Sequence, residues 1–310
     1  MIDRSAPQPS PFDSIQAFCG ALRDELAGGN GCEPAAAALR RYYRRLLMAD
    51  GTLDPLGVHG YASRLLPLVE TVRGARGPVT ALDCGCGYGT EALLLGLEGV
   101  EVTGVDAVPE RVEVARGRVP FYERRAGRSL AVRFAGADIL RYLGGVTRVD
   151  LIWALEAVSH IHPLEEFLAL AFDKLSPGGL FVTSDPNALN PLARYRAYRI
   201  RGAPGLRTRV KAVDPAADSP VVEAVERIFP AGAFVKKVTG AGFRVTRVEW
   251  SGFLAASLIP EAWHRNVAVC RAAIAIQRVF QRAPVVRHTG MNYTVVAHKP
   301  CGAAAASESG

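Results

Sequence analysis

From Val79 to Ala297 the chain alternates short apolar runs with amphipathic stretches. Seven runs have strand length and composition: Val79–Leu82, Val100–Asp106, Leu130–Phe134, Asp150–Leu155, Leu180–Ser184, Phe243–Trp250 and Asn292–Ala297. Between them, Glu91–Leu97, Pro109–Arg116, Leu164–Leu175, Val221–Phe229, Ala233–Thr239 and Trp263–Arg282 read as helices, with Ser176-Pro177-Gly178-Gly179 as a turn. Such strand–helix alternation predicts an α/β fold: a doubly wound, seven-stranded, mostly parallel sheet.

Ahead of it, Phe12, Ile15, Phe18, Cys19, Leu22 and Leu26 recur at helical spacing, and Gly28–Gly31 ends that helix. A second helix starts near Pro34, with Leu39, Tyr42, Tyr43, Leu46 and Leu47 as its apolar stripe and Arg40, Arg41, Arg44 and Arg45 opposite. The arginine face reads as solvated, with an anion-binding face as the alternative. After the turn Asp50–Pro55, Leu56–Val72 forms a third helix that packs on the sheet. The expected organisation is a disordered start (1–11), a helical cap (12–75), a main domain (76–300) with insertions at 187–220 and 253–288, and a loose tail (301–310).

The stretch with the most chemistry is Asp83-Cys84-Gly85-Cys86-Gly87-Tyr88-Gly89-Thr90, a glycine turn between strand and helix. A dinucleotide fingerprint would need its third glycine at position 90, which is Thr90. Asp83 at the strand end would also repel a pyrophosphate and favour a cationic ligand. The next strand ends in Asp106, 17 residues beyond Gly89 and placed for ribose hydroxyls. A nucleoside carrying a positively charged amino-acid group satisfies both.

With Gly136-Ala137-Asp138-Ile139 and Leu175-Ser176-Pro177-Gly178-Gly179 following in order, residues 79–186 resemble class I S-adenosylmethionine-dependent methyltransferases. The resemblance implies a Rossmann-like methyltransferase fold whose cofactor site comprises Asp83, Gly85, Gly87, Gly89, Asp106, Ala107, Asp138, Ile139 and Leu155. In that family the acid at Asp138 bonds the adenine amino group and the residue at Ile139 packs on the ring; a helix cap is the other reading of Asp138. N-terminal helices and helical insertions would form the substrate lid, with His59 and Tyr61 as pocket residues.

The turn after the fourth strand, Glu156–Pro163, lies where open α/β sheets do chemistry, and His160 and Glu156 are the candidate general bases. The similar ubiquinone-type O-methyltransferases often carry a Glu-His pair here, some of them holding a divalent metal. This chain has Ser159 in place of that Glu, and no metal is expected. Arg194, Arg196, Arg199 and Arg201, interleaved with apolar and tyrosine positions, read either as a clamp for an anionic substrate or as a solvated face. Trp263–Arg282 reads as a pocket wall or homodimer face, with a membrane surface as a further alternative.

Composition narrows the setting. At 310 residues and 49% hydrophobic the chain can bury a full core, and no apolar run approaches a membrane span. No signal-peptide layout opens it, so a cytoplasmic enzyme is expected. Six scattered cysteines suggest neither a zinc site nor a disulfide framework. The net charge of +7 rests on arginine, with only five lysines, and favours anionic partners without indicating nucleic acid. The expected activity is methyl transfer to a small molecule of bacterial secondary or cofactor metabolism. Alternatives are methylation of an anionic isoprenoid or lipid precursor, and a non-catalytic scaffold or sensor.

Overall fold

The computed structural model describes residues 9–28, 33–75, 77, 79–192, 195, 207–213, 220–225, 227–253 and 259–301. Three N-terminal helices, α1 (Pro11–Gly28), α2 (Glu33–Tyr43) and α3 (Pro55–Arg73), precede the sheet. The alternating part then runs β1 (Thr80–Cys84), α4 (Thr90–Leu97), β2 (Glu101–Asp106), α5 (Pro109–Ala126), β3 (Val132–Gly136), α6 (Ile139–Gly145), β4 (Val149–Leu155), α7 (Leu164–Lys174) and β5 (Leu175–Pro186). It closes with β6 (Arg207–Val213), β7 (Pro220–Val225), α8 (Ala231–Gly240), β8 (Arg244–Ser251), α9 (Val267–Arg282) and β9 (Asn292–His298).

The seven-stranded sheet has the order β3-β2-β1-β4-β5-β9-β8. Pairs from β3 to β5 are parallel, and β9 lies antiparallel between β5 and β8. Neighbouring residues bury into opposite layers: Ala81, Trp153, Val182 and Val296 into a core under α1–α5, and Leu82, Ile152, Phe181 and Val295 into one under α6–α8. Burial on both faces explains why these strands read as continuous apolar runs. The strand order reverses between β1 and β4, which places the glycine turn at the crevice where such sheets bind ligands.

Four sequence expectations need correction. Val221–Phe229 is not helical: Val221, Val222 and Val225 are β-branched and lie in β7, which pairs antiparallel with β6. Residues 207–213 and 220–225 therefore form a β-hairpin where a helix was expected, while Pro191, Leu192 and Tyr195 at the start of the first insertion are helical. Tyr42 leaves the apolar stripe and is 59% exposed, because α2 stops at Tyr43 and passes into the 3-10 turn Arg44–Leu46. The Ser176–Gly179 turn is absorbed into β5, where Gly178 takes φ 77° and donates its N–H to the Lys299 carbonyl. The last helix starts at Val267, capped by Asn266, after a separate 3-10 turn at Glu261–Trp263. Among the described residues no helix is long and apolar enough to cross a membrane.

Candidate cofactor and transfer site

Three glycines in the β1–α4 turn have left-handed φ: Gly85 (74°), Gly87 (53°) and Gly89 (75°). Their surroundings differ. A Cβ on Gly85 would lie 2.6 Å from the Ala157 Cβ and one on Gly89 2.5 Å from the Phe134 ring, whereas at Gly87 nothing stands within 4 Å. Two glycines thus let the turn pack onto its neighbours, and the third leaves open space at its apex.

Asp106 at the end of β2 pins this turn: its carboxylate accepts the Gly87 N–H at 2.8 Å and the Val108 N–H at 2.9 Å. Asp138 caps α6, accepting the Leu140 and Arg141 N–H groups at 2.9 and 3.0 Å. The helix-cap reading of Asp138 is therefore realised. Ala107 and Asp138 are exposed, and Ile139 and Leu155 half-buried, along the C-terminal edge of β2, β3 and β4. The cofactor candidates do share one edge of the sheet.

The charge beneath this edge is negative. Asp83 is buried, and its Oδ2 has no hydrogen-bond partner. Burial, then the charges of Glu91 and Asp106, push its carboxyl well above the usual range. Burial also raises Glu91, against a hydrogen bond from the Tyr61 hydroxyl at 2.6 Å. Buried carboxylates that repel one another, one with an unpaired oxygen, are relieved by a positive charge on a ligand. Together with the open space at Gly87, this set of carboxylate acceptors fits the ammonium and sulfonium of S-adenosylmethionine.

Beside it, β4 ends at Glu156, whose φ of 51° is positive, uncommon for a residue other than glycine. Its N–H donates to the Ser184 carbonyl at 2.8 Å, and its Oε1 accepts from the Arg64 Nη1 at 2.7 Å. The Arg64 charge holds Glu156 below the usual carboxylate range. Glu156 thus stays ionised but is a weak base. His160 ends the turn Val158–His160 with an exposed side chain, and its N–H bonds the Ala157 carbonyl at 2.8 Å. The two candidate bases lie on one short loop.

Sequence reading missed the residues that support this loop. Buried Asp185, at the end of β5, accepts the Ser159 N–H at 3.3 Å and the Thr183 hydroxyl at 2.5 Å. Burial pushes its carboxyl up to about 6. Arg64 reaches in from α3 and also contacts Ser184 Oγ at 3.4 Å. The Asp185-Pro186 step after a strand was a visible signal; Arg64 had none, because its partners are 92 and 120 positions away. Among the described residues, no group of three or more His, Cys, Asp or Glu side chains is arranged to hold a metal.

The cap meets the glycine turn through aromatic rings. Tyr61 lies 6.4 Å from Tyr43, Tyr43 5.0 Å from Tyr42, and Tyr42 6.0 Å from Tyr88 in the turn itself. His59, two residues from Tyr61, points to another helix face and packs on Phe12 at 5.9 Å, its Nδ1 buried without a partner. The two proposed pocket residues are thus separated. Fully buried Arg118 of α5 joins Glu25 of α1, through two bonds of 2.9 Å, to the Tyr88 carbonyl at 2.5 Å and the Thr90 hydroxyl at 2.7 Å. Arg194, Arg196, Arg199 and Arg201 lie outside the described residues.

Known methyltransferases resemble this chain in sequence and in fold. A ubiquinone biosynthesis O-methyltransferase of Methylobacterium sp. (strain 4-46) is 31% identical over 125 residues, 40% of this chain and 47% of that protein. One from Cereibacter sphaeroides (strain ATCC 17025) is 32% identical over 106 residues, 34% and 40% of the two chains. The chain thus spans less than half the length of these curated relatives. In fold it is similar to the magnesium protoporphyrin IX methyltransferase of Synechocystis PCC 6803, solved with bound S-adenosylhomocysteine, at TM-score 0.50 and 14% identity over 85% of this chain and 94% of that one. The methyltransferase domain family matches residues 43–248, about two thirds of the sequence, and the chain belongs to that family.

Proposed function

We propose that this protein transfers a methyl group from S-adenosylmethionine to a small-molecule acceptor. The observation that carries the reading is the buried acid group at an open glycine turn: Asp83 with its unpaired oxygen, flanked by Glu91 and Asp106. Asp83 would receive the cofactor's ammonium, Asp106 its ribose hydroxyls, and Ile139 and Leu155 would pack on the adenine. When bound, the cofactor supplies an electrophilic methyl on a positively charged sulfur.

The protein's part is to orient the acceptor, exclude water and take one proton. His160 is the base in this reading: an imidazole nitrogen takes the proton from the acceptor and, being exposed, passes it to water. Glu156, ionised beside Arg64, orients the acceptor instead. Likeness to O-methyltransferases supports a hydroxyl oxygen as the attacking atom, and the ring cluster Tyr42–Tyr43–Tyr61–Tyr88 supports a planar acceptor. The net charge of +7 supports an anionic acceptor, with the arginines from Arg194 to Arg201 as its proposed contacts.

Calorimetry tests the cofactor half. S-adenosylmethionine and its demethylated product should both bind, and Asp106→Ala should weaken both by about tenfold or more, since charged hydrogen bonds contribute about 1.5–3 kcal/mol. No heat at millimolar ligand would remove the reading. For the chemical half, labelled cofactor and a metabolite library should yield a methylated product, and His160→Ala should lower turnover by about a hundredfold or more while leaving cofactor affinity unchanged. A fully active variant would take the base role from His160.

A further inference from the structure

The second insertion carries the most strongly amphipathic of the described helices. Helix α9 buries Cys270, Ala273 and Gln277 and packs on α3 and β8. On its other side Val267 and Val279 are 62% and 63% exposed, and Ile276 is exposed as well. At about 100° per residue, Arg271, Arg278 and Arg282 fall in one row, and Ile276 and Val279 form an apolar row beside it. All three arginines are exposed. No acidic residue occurs between Glu261 and Glu308. Two further exposed apolar side chains, Trp263 and Val285, flank the ends of the helix.

We propose that this face of α9 docks on a lipid bilayer surface bearing anionic headgroups. A helix lying in the interfacial plane buries an apolar row among the acyl-chain ends while arginines extend to the phosphates, and α9 presents both rows side by side. Charge selects this occupant over a second copy of the chain. Two-fold pairing of the face with itself would set each arginine row against the partner's arginines or against its apolar row, with no carboxylate to pair them. Arg265, the cation nearest the start of the helix, is already paired with Asp50. A free polyanion would satisfy the arginines but leave the valines and Ile276 in water. The docking is peripheral, since no described helix can span a bilayer.

Sedimentation of the full chain with vesicles tests this. Vesicles of phosphatidylglycerol and phosphatidylcholine should pull the protein down at low salt, and vesicles of phosphatidylcholine alone should not. Each arginine near an anionic surface contributes about fivefold in affinity, so R271Q/R278Q/R282Q should weaken binding about a hundredfold. Ile276→Asp with Val279→Asp should weaken it about tenfold or more through the apolar row. Both variants change exposed positions, and unchanged melting and S-adenosylhomocysteine affinity would show that they fold. Three outcomes overturn the proposal: no binding to the anionic vesicles, binding that the apolar variant retains in full, and a dimer in sedimentation velocity that the apolar variant dissociates.

Discussion

The two halves of the site are built differently. At the ends of β1, β2 and β3, each group works through its immediate neighbours in sequence or register: Asp106 holds Gly87 and Val108, and Asp138 holds Leu140 and Arg141. At the ends of β4 and β5, the partners come from far away, with Arg64 of α3 bridging Glu156 and Ser184. The first half is a backbone device whose parts must sit at fixed spacing. The second is a side-chain network whose partners meet only in the finished fold.

The largest expected effect lies where the cap fastens onto the first half. Arg118→Met removes the Arg118 guanidinium from buried Glu25, which keeps the Tyr122 hydroxyl, and removing one partner of a buried pair costs about 3–5 kcal/mol. Urea unfolding should show that loss. Adding Glu25→Leu should recover most of it, because a well-packed apolar pair replaces a buried ion pair at little cost. If the single variant unfolds like the parent, the cap is not fastened to the glycine turn through this pair, and the contrast between the two halves weakens.

A second test acts inside the β4–β5 half, where two acids titrate with opposite sign. Asp185, raised from 3.8 to about 6 by burial, binds its proton more tightly in the folded state. Its contribution is therefore fully present below pH 3.8 and falls as pH rises to 6, by on the order of 3 kcal/mol. Glu156 is lowered by Arg64, so its contribution is present above its unfolded pKa and lost as pH falls through its folded one. Asp185→Asn should remove the decline between pH 4 and 6, so that parent and variant stability curves converge at acid pH and separate above it. Parallel curves would show that Asp185 is not protonated in the fold.

The same division decides what could be read from the chain. The glycine turn from Asp83 to Gly89 and the acid Asp106 that pins it were legible because backbone geometry fixes their spacing, and the inner strands β1, β4, β5 and β9 were legible because both of their faces are buried. Asp138 showed only half of its meaning: its cap was written in the sequence, while contact with an adenine is not a local property. Arg64 and Arg118 looked like ordinary polar helix positions, since nothing near them in the chain announces Glu156 or Glu25. The β6–β7 hairpin was misread as helical because Val221–Phe229 carries no turn or alternation signal strong enough to outweigh its apolar spacing, and the strand depends on a partner at Arg207–Val213. His59 and Tyr61 were grouped by sequence proximity, although two steps along a helix turn a side chain to the far face.

The smallest effect sits at a second contact between the cap and the first half. Tyr61 of the cap donates to Glu91, the first-turn acid of the helix that leaves the glycine turn, at 2.6 Å. Tyr61→Phe keeps the ring against Tyr43 and removes only the hydroxyl, so any change reports that hydrogen bond. The bond favours ionised Glu91, whose carboxyl burial already raises, and its loss raises that carboxyl further. Stability should drop by about 1.5–3 kcal/mol where Glu91 is ionised in the parent, and the gap should narrow as pH falls and Glu91 takes up its proton in both proteins. Cofactor affinity should fall with it, because a protonated Glu91 contributes less negative charge beside Asp83. A variant whose affinity holds while its stability drops would assign the cationic ligand to Asp83 and Asp106 alone and leave Tyr61 as a fastening of the cap.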